Sequence, residues 1–413
     1  MPTYLPATRY GGPIQSVHGL CRALVAAGHE VHVYSTSVDG DRDSDVPVDE
    51  PIDLDGVTIR YFPSTFLRRI YRAPRMAVRL GSDVANFDIV HLHSVFLWPT
   101  YAAARAARRA GVPYVIAPRG MLVRELVERK SRFAKSTWIR FVESSNFRHA
   151  SGVHFTSRIE MEEAMKFDLR IANPFVVGNG VEVSGFSGPR GLGAPEEAGI
   201  DSGSGTGLET LGRAVDREID SPRTPSAQRP TPALLFLGRV NWKKGLDRLV
   251  RAMELIPEAR LTIAGNDEEN YRSTVEGLAD IHGVLDRIEF LGPVGPDRKW
   301  TLLRSARVLV LPSYNENFGN VVLEAMAVGC PVVVTPEVGL ADAVRESGAG
   351  LVAGAGPEPL SSAIRSILEN GEAAEEMGRR GIEAVRTKFS WKGVAEAMIA
   401  EYAKIAGASG RDT

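Results

Sequence analysis

Short apolar runs alternate with amphipathic stretches along nearly the whole chain, and no other feature of the sequence restricts the fold as much. The runs at 308–311 and 332–334 are apolar at every position, as expected of strands buried on both faces. Stretches of helical period lie between such runs, for example at 15–27, 101–110 and 158–165. Strand–helix alternation of this kind builds mostly parallel sheets layered between helices. Strands are expected at 29–35, 57–62, 88–92, 113–117, 152–155 and 175–177, and again at 233–237, 260–264, 287–291, 307–311 and 331–335. The chain therefore reads as an α/β protein of two similar, doubly wound, Rossmann-like halves. Its 413 residues also exceed what one core usually supports.

Between the halves the composition changes to Gly, Ser, Pro and scattered charge, and it includes GSGTG at 203–207. A glycine-rich phosphate loop needs a strand before it and a helix after it, and the pattern offers neither there. The expected division is a first domain at 1–183, a disordered insertion at 184–232, a second domain at 233–388, and a closing helix and tail at 389–413. The opening residues leave no room for the strand that should precede the Gly11-Gly12 turn. Either the natural start lies further upstream, which is the favoured expectation, or the sheet lacks a central strand.

Composition excludes several classes. Net charge is −2, which exerts no pull toward nucleic acid. Cys21 and Cys330 stand too far apart in sequence to suggest a disulfide framework or a zinc site. No apolar run of about 18 residues spans a membrane and no signal peptide opens the chain, so the expected location is the cytoplasm.

Glu316 and Glu324 carry the strongest chemical signal. Glu316 ends the loop after one apolar strand, and Glu324 lies in the following helix among Val321, Val322, Leu323, Ala325 and Met326. A carboxylate in such a helix is rarely buried without a partner or a ligand. Two carboxylates at the carboxyl ends of parallel strands suit a ligand with vicinal hydroxyls at both ends, such as a sugar nucleotide. Upstream, Arg239 and Lys244 flank a short loop before a helix, a natural seat for a diphosphate. The acidic run at 39–50 places Asp39, Asp41, Asp43 and Glu50 at calcium-loop spacing, but Ser44 replaces the required glycine and a solvated loop is expected. Two basic, partly apolar stretches, 60–79 and 119–140, suggest peripheral contact with an anionic membrane.

GRVNWKKG at 238–245, LTIAG at 261–265, FLG at 290–292 and NENFGNVVLEAMAVGCPVV at 315–333 together resemble the family 4 retaining glycosyltransferases of the GT-B fold. In the first half GGP at 11–13, GHEV at 28–31, DIVHLH at 88–93, GVPYVIAPRGM at 111–121 and NGV at 179–181 match in the same order, as does FSW at 389–391. The resemblance implies two Rossmann-like domains facing across a cleft, with the closing helix returning to the first. It implies a hexosyl donor bound as a nucleoside-diphosphate sugar, with Arg239 and Lys244 on the diphosphate. Glu316 would take the sugar hydroxyls and Glu324 the ribose. Gly12, Arg119, Asn317, Phe318, Gly319 and Asn320 would complete the donor site. Arg119 stands where many relatives carry a histidine, so that histidine's role is not transferred, and His93 is a possible cleft residue. No metal or cofactor is expected. The acceptor would be a glycan or lipid-linked sugar of cell-surface polysaccharide or glycolipid synthesis. The competing reading is a catalytically silent scaffold that binds sugar nucleotide or glycan.

Overall fold

A computed structural model describes residues 1–7, 12–124, 137–182 and 234–409. The insertion expected at 184–232, and much of the basic stretch at 119–140, lie outside the described residues.

In the second half six strands form one parallel sheet in the order Ile288–Gly292, Leu261–Ala264, Leu234–Leu237, Val308–Leu311, Val332–Val334 and Gly350–Val352. Their near-continuous apolar sequence matches their burial on both faces between helices. Leu234 pairs with Leu261 on one side and with Val308 on the other. The chain thus starts in the middle, winds outward one way, then returns and winds outward the other way. This reversal leaves a crevice at the carboxyl ends of Leu234–Leu237 and Val308–Leu311, the position where open α/β sheets hold ligands. Gly350–Val352 was not expected; three residues behind a glycine give too short a run to recognise.

The first half holds two larger, separate sheets and one two-stranded hairpin. One comprises His32–Thr36, Val57–Phe62 and Pro51–Leu54; the other comprises Val90–His93, Tyr114–Ala117, Gly152–Phe155 and Pro174–Val176. Pro51–Leu54 runs antiparallel to Val57–Phe62 at the sheet's outer edge, a hairpin absent from the sequence reading. The opening residues do have a place. Thr3 forms a parallel bridge with Thr36, and the Thr36 amide donates to the Pro2 carbonyl at 3.2 Å. This isolated bridge is a single contact and not the strand for which the opening residues leave no room.

The Trp391–Ser409 helix crosses back to the Gly12–Ala26 helix. Val394 and Met398 pack there against Leu20 and Leu24. Cys21 and Cys330 are both buried free thiols. Among the described residues, no helix is long and apolar enough to cross a membrane.

Candidate functional site

The crevice of the second half is built from the loops that follow Leu234–Leu237 and Val308–Leu311. The Tyr314 amide donates to the Lys243 carbonyl at 2.7 Å, tying one loop to the other. Gly245 ends the first loop at φ +66°, and any Cβ there would collide with the Pro312 carbonyl. Arg248 lies flat on the Tyr314 ring at 3.6 Å and donates to the Pro312 and Ser313 carbonyls, which stiffens the second loop. The Glu316 amide donates to the Glu337 carbonyl at 3.0 Å and the Gly339 amide to the Glu316 carbonyl at 2.8 Å. The carboxylate is therefore held on a fixed backbone.

Lys244 and Glu316 meet as an ion pair, with 14% and 18% of their side chains exposed. This is a partly desolvated contact at the switch point itself. Gly319, at φ +93°, precedes the Asn320–Ala327 helix and sets its first turn toward the crevice.

Three of the expected donor-site residues have partners of their own within the protein. Glu324 has such a partner, because Lys299 of the Pro296–Ser305 helix donates to it at 2.8 Å. It is the fifth residue of the Asn320–Ala327 helix, little more than one turn from its start. Arg239 is over half exposed and pairs with Glu268 at 2.8 Å, while Asn241 donates to the other oxygen of that carboxylate. Burial alone would raise the pKa of Glu268, but the Asn241 hydrogen bond and the Arg239 charge prevail and hold it below its ordinary value. Phe318 is 5% exposed and belongs to the core, and its ring stands beside Gly178. Its place is packing between the halves.

The first half meets this crevice through a polar network. A Cβ on Gly12 would approach Asn320 Nδ2 to 3.0 Å, so the glycine lets the Gly12–Ala26 helix come close to the start of the Asn320–Ala327 helix. Arg119, at φ +55°, donates through Nε to His93 Nδ1 at 3.2 Å and through its terminal nitrogen to Asn179 Oδ1 at 3.0 Å. Asn179 passes the contact across the cleft to Asn320 Oδ1 at 2.8 Å. Burial holds His93 well below its ordinary pKa, so it is a neutral acceptor for the guanidinium. Asn317 donates to Thr156 Oγ1 at 2.8 Å, and Ser157 Oγ donates to the Asn317 carbonyl at 2.6 Å. The buried carboxylate of Glu160 fixes this corner by accepting from the Thr156 and Gly120 amides. Sequence reasoning missed Glu160 and Lys299. Both are ordinary helix residues whose partners come from elsewhere in the fold.

The acidic run and the first basic stretch prove to be partners. Arg68 pairs with Asp43 at 2.9 Å and Arg75 with Asp49 at 2.7 Å, while the run itself folds into a small hairpin, Val38–Asp39 with Arg42–Asp43. Two of the six arginines at 60–79 are thereby paired with the acidic run.

Comparison with known proteins agrees with this geometry. Residues 11–180 match the family model for a glycosyl transferase 4-like domain, and residues 218–384 match that for glycosyl transferases group 1. An uncharacterized glycosyltransferase of Methanocaldococcus jannaschii is 26% identical over 409 residues, covering 96% of this chain and 95% of its own. A D-inositol 3-phosphate glycosyltransferase of Mycobacterium avium is 34% identical over 206 residues, covering 47% of this chain and 49% of its own. Among solved structures, Anabaena HepE in complex with UDP and glucose superposes with a TM-score of 0.68 at 14% identity, covering 97% of this chain and 98% of its own. The chain belongs to the group 1, family 4 glycosyltransferases and has their GT-B fold.

Proposed function

We propose that the protein transfers a hexosyl group from a nucleoside-diphosphate sugar to an acceptor hydroxyl, with retention at the anomeric carbon. The Lys244–Glu316 pair at the switch point carries this reading, because it sets a cation for phosphate beside a carboxylate for sugar hydroxyls. The donor diphosphate would lie between Lys244 and the first turn of the Asn320–Ala327 helix, with Arg239 at its outer side. Glu316 would accept from the sugar hydroxyls and Glu324 from the ribose, each turning away from its lysine as the ligand enters. Negative charge growing on the departing diphosphate is met by groups already aimed at it. The departing phosphate oxygen takes the acceptor proton on the same face, so no protein nucleophile is assigned. Metal-independent transfer follows from Lys244 and Arg239 supplying the positive charge.

HepE, crystallised with UDP and glucose, supports a nucleotide sugar as donor by likeness of fold. The acceptor proposed is a glycan or lipid-linked sugar of cell-surface polysaccharide or glycolipid synthesis, reached at the cytoplasmic face of the membrane. Thermal shift against GDP-mannose, UDP-glucose, UDP-galactose and UDP-N-acetylglucosamine should single out one donor by its stabilisation. With that donor, Glu316→Gln should lose a contact of about 1.5–3 kcal/mol, and turnover should survive chelation by EDTA. Full turnover in the variant would sink the assignment. Stabilisation by a donor that the wild-type protein never transfers or hydrolyses would favour the silent scaffold.

A further inference from the structure

Arg119 differs from the other cations of the crevice. Lys244, Lys299 and Arg239 each face a carboxylate. The Arg119 guanidinium instead donates to His93 Nδ1 and Asn179 Oδ1, and neither acceptor carries a charge. Among the described residues it makes no other hydrogen bond and belongs to no ion pair. Glu160 acts on it through space, but its oxygens are committed to the Gly120 amide and to the amide and hydroxyl of Thr156. Burial outweighs that attraction and lowers the pKa of Arg119 from the ordinary arginine value. A positive charge held away from water among neutral partners is costly, and groups in that condition concentrate at ligand sites.

The backbone adds a second sign. Arg119 has φ +55° and Gly120 has φ +73°. Left-handed geometry is uncommon at a long side chain and gathers where ligands bind. A Cβ on Gly120 would press on Asn317 at 3.0 Å, so the turn is wedged against the second half. It follows the carboxyl end of Tyr114–Ala117, where a parallel sheet presents ligands.

The hydrogen bonds also show which ligand is near. Asn179 accepts from Arg119 and donates to Asn320 Oδ1. Its carboxamide therefore stands between the guanidinium and the helix start proposed above as the seat of the donor diphosphate. The second terminal nitrogen of Arg119 makes neither contact. It belongs to the first half, the wall that faces the donor.

We propose that Arg119 binds an anionic group of the acceptor, a phosphate or a carboxylate carried by the sugar that receives the hexosyl group. The planar guanidinium suits paired oxygens of either anion. This inference rests on the donor lying in the second half, and it selects charged acceptors over neutral ones.

Calorimetry on the full chain tests it with glucose 6-phosphate, glucose 1-phosphate, glucuronate and neutral glucose, each with and without UDP or GDP. A charged sugar should bind more tightly than glucose, and the one that binds best tells phosphate from carboxylate. Arg119→Gln should weaken that binding by roughly tenfold or more, while nucleotide affinity stays within about twofold. Its melting temperature should be no lower than the parent's, because an unmatched charge is removed. Asn179→Asp gives the guanidinium a carboxylate inside the protein. That variant should melt higher and lose the preference for charged sugars, and it decides alone if Arg119→Gln does not fold. Equal binding of charged and neutral sugars by the parent, or no binding of either, overturns the proposal. A preference that survives in N179D does the same. So does a loss in R119Q that falls on the nucleotide and spares the sugars, which would assign Arg119 to the donor. Failure of the donor reading leaves a different trace, in which neither nucleotide binds while the charged sugars still depend on Arg119.

Discussion

Lys244, Lys299 and Arg239 are each matched with a carboxylate. A partly desolvated carboxylate gains from a cation beside it, and Lys244 and Lys299 supply one each to Glu316 and Glu324. In the proposed donor site, ligand binding would exchange these partners instead of exposing unmet charge. This exchange depends on the two loops holding their spacing, which one glycine controls. Gly245→Ala should cost about 1–3 kcal/mol of stability, because the new methyl meets the Pro312 carbonyl while φ stays positive. Since Pro312 opens the loop that carries Glu316, donor affinity should fall as well. A variant with unchanged melting temperature and unchanged donor affinity would show that the loops reposition freely. Lys244 and Glu316 were legible because each follows an apolar strand by a few residues. Lys299 was not, since its pairing depends on how the Pro296–Ser305 helix lies against Asn320–Ala327.

At the scale of elements, three histidines near the carboxyl ends of the first-half strands act as neutral linkers. Tyr402 donates to His91 Nδ1 at 2.6 Å, His91 Nε2 donates to His154 Nδ1 at 3.3 Å, and His154 Nε2 donates to the Val177 carbonyl at 2.8 Å. Burial depresses the pKa of His91 and His93, and brings His154 from 6.5 to about 3. The unfolded chain takes up these protons near pH 6.5 while the folded protein refuses them. Stability is therefore complete above that pH and falls as pH drops, through the window down to about 3 for His154. Each such histidine adds up to about 1.4 kcal/mol per pH unit within its window. Melting temperature should decline from pH 7 to pH 5, and His154→Phe, which keeps the stack on Phe175, should flatten the decline. An identical slope in the variant would remove His154 from this role. The strands themselves were easy to find where all residues are apolar, as at Val308–Leu311. Pro51–Leu54 escaped because an outer-edge strand that is half exposed lacks that signature.

At the scale of the molecule, the halves are joined by the cleft network around Asn179 and Asn317 and by the returning helix. The resemblance implied that return, but only the structure shows its anchor. A Cβ on Gly19 or Gly180 would strike the Trp391 ring, so both glycines exist as room for it. Trp391→Ala should destabilise the protein by about 3 kcal/mol, read as a lower denaturation midpoint, with loosened amide protection along Gly12–Ala26. Loss of protection confined to the second half would contradict this placement.

The same return has a consequence for synthesis. A ribosome releases the first half early, yet the helix that covers Leu20 and Leu24 is made after the whole second half has emerged. During that interval, at roughly 5–20 residues per second, the apolar face of the Gly12–Ala26 helix is left to solvent or to chaperones. The first half to be made is thus the last to be finished.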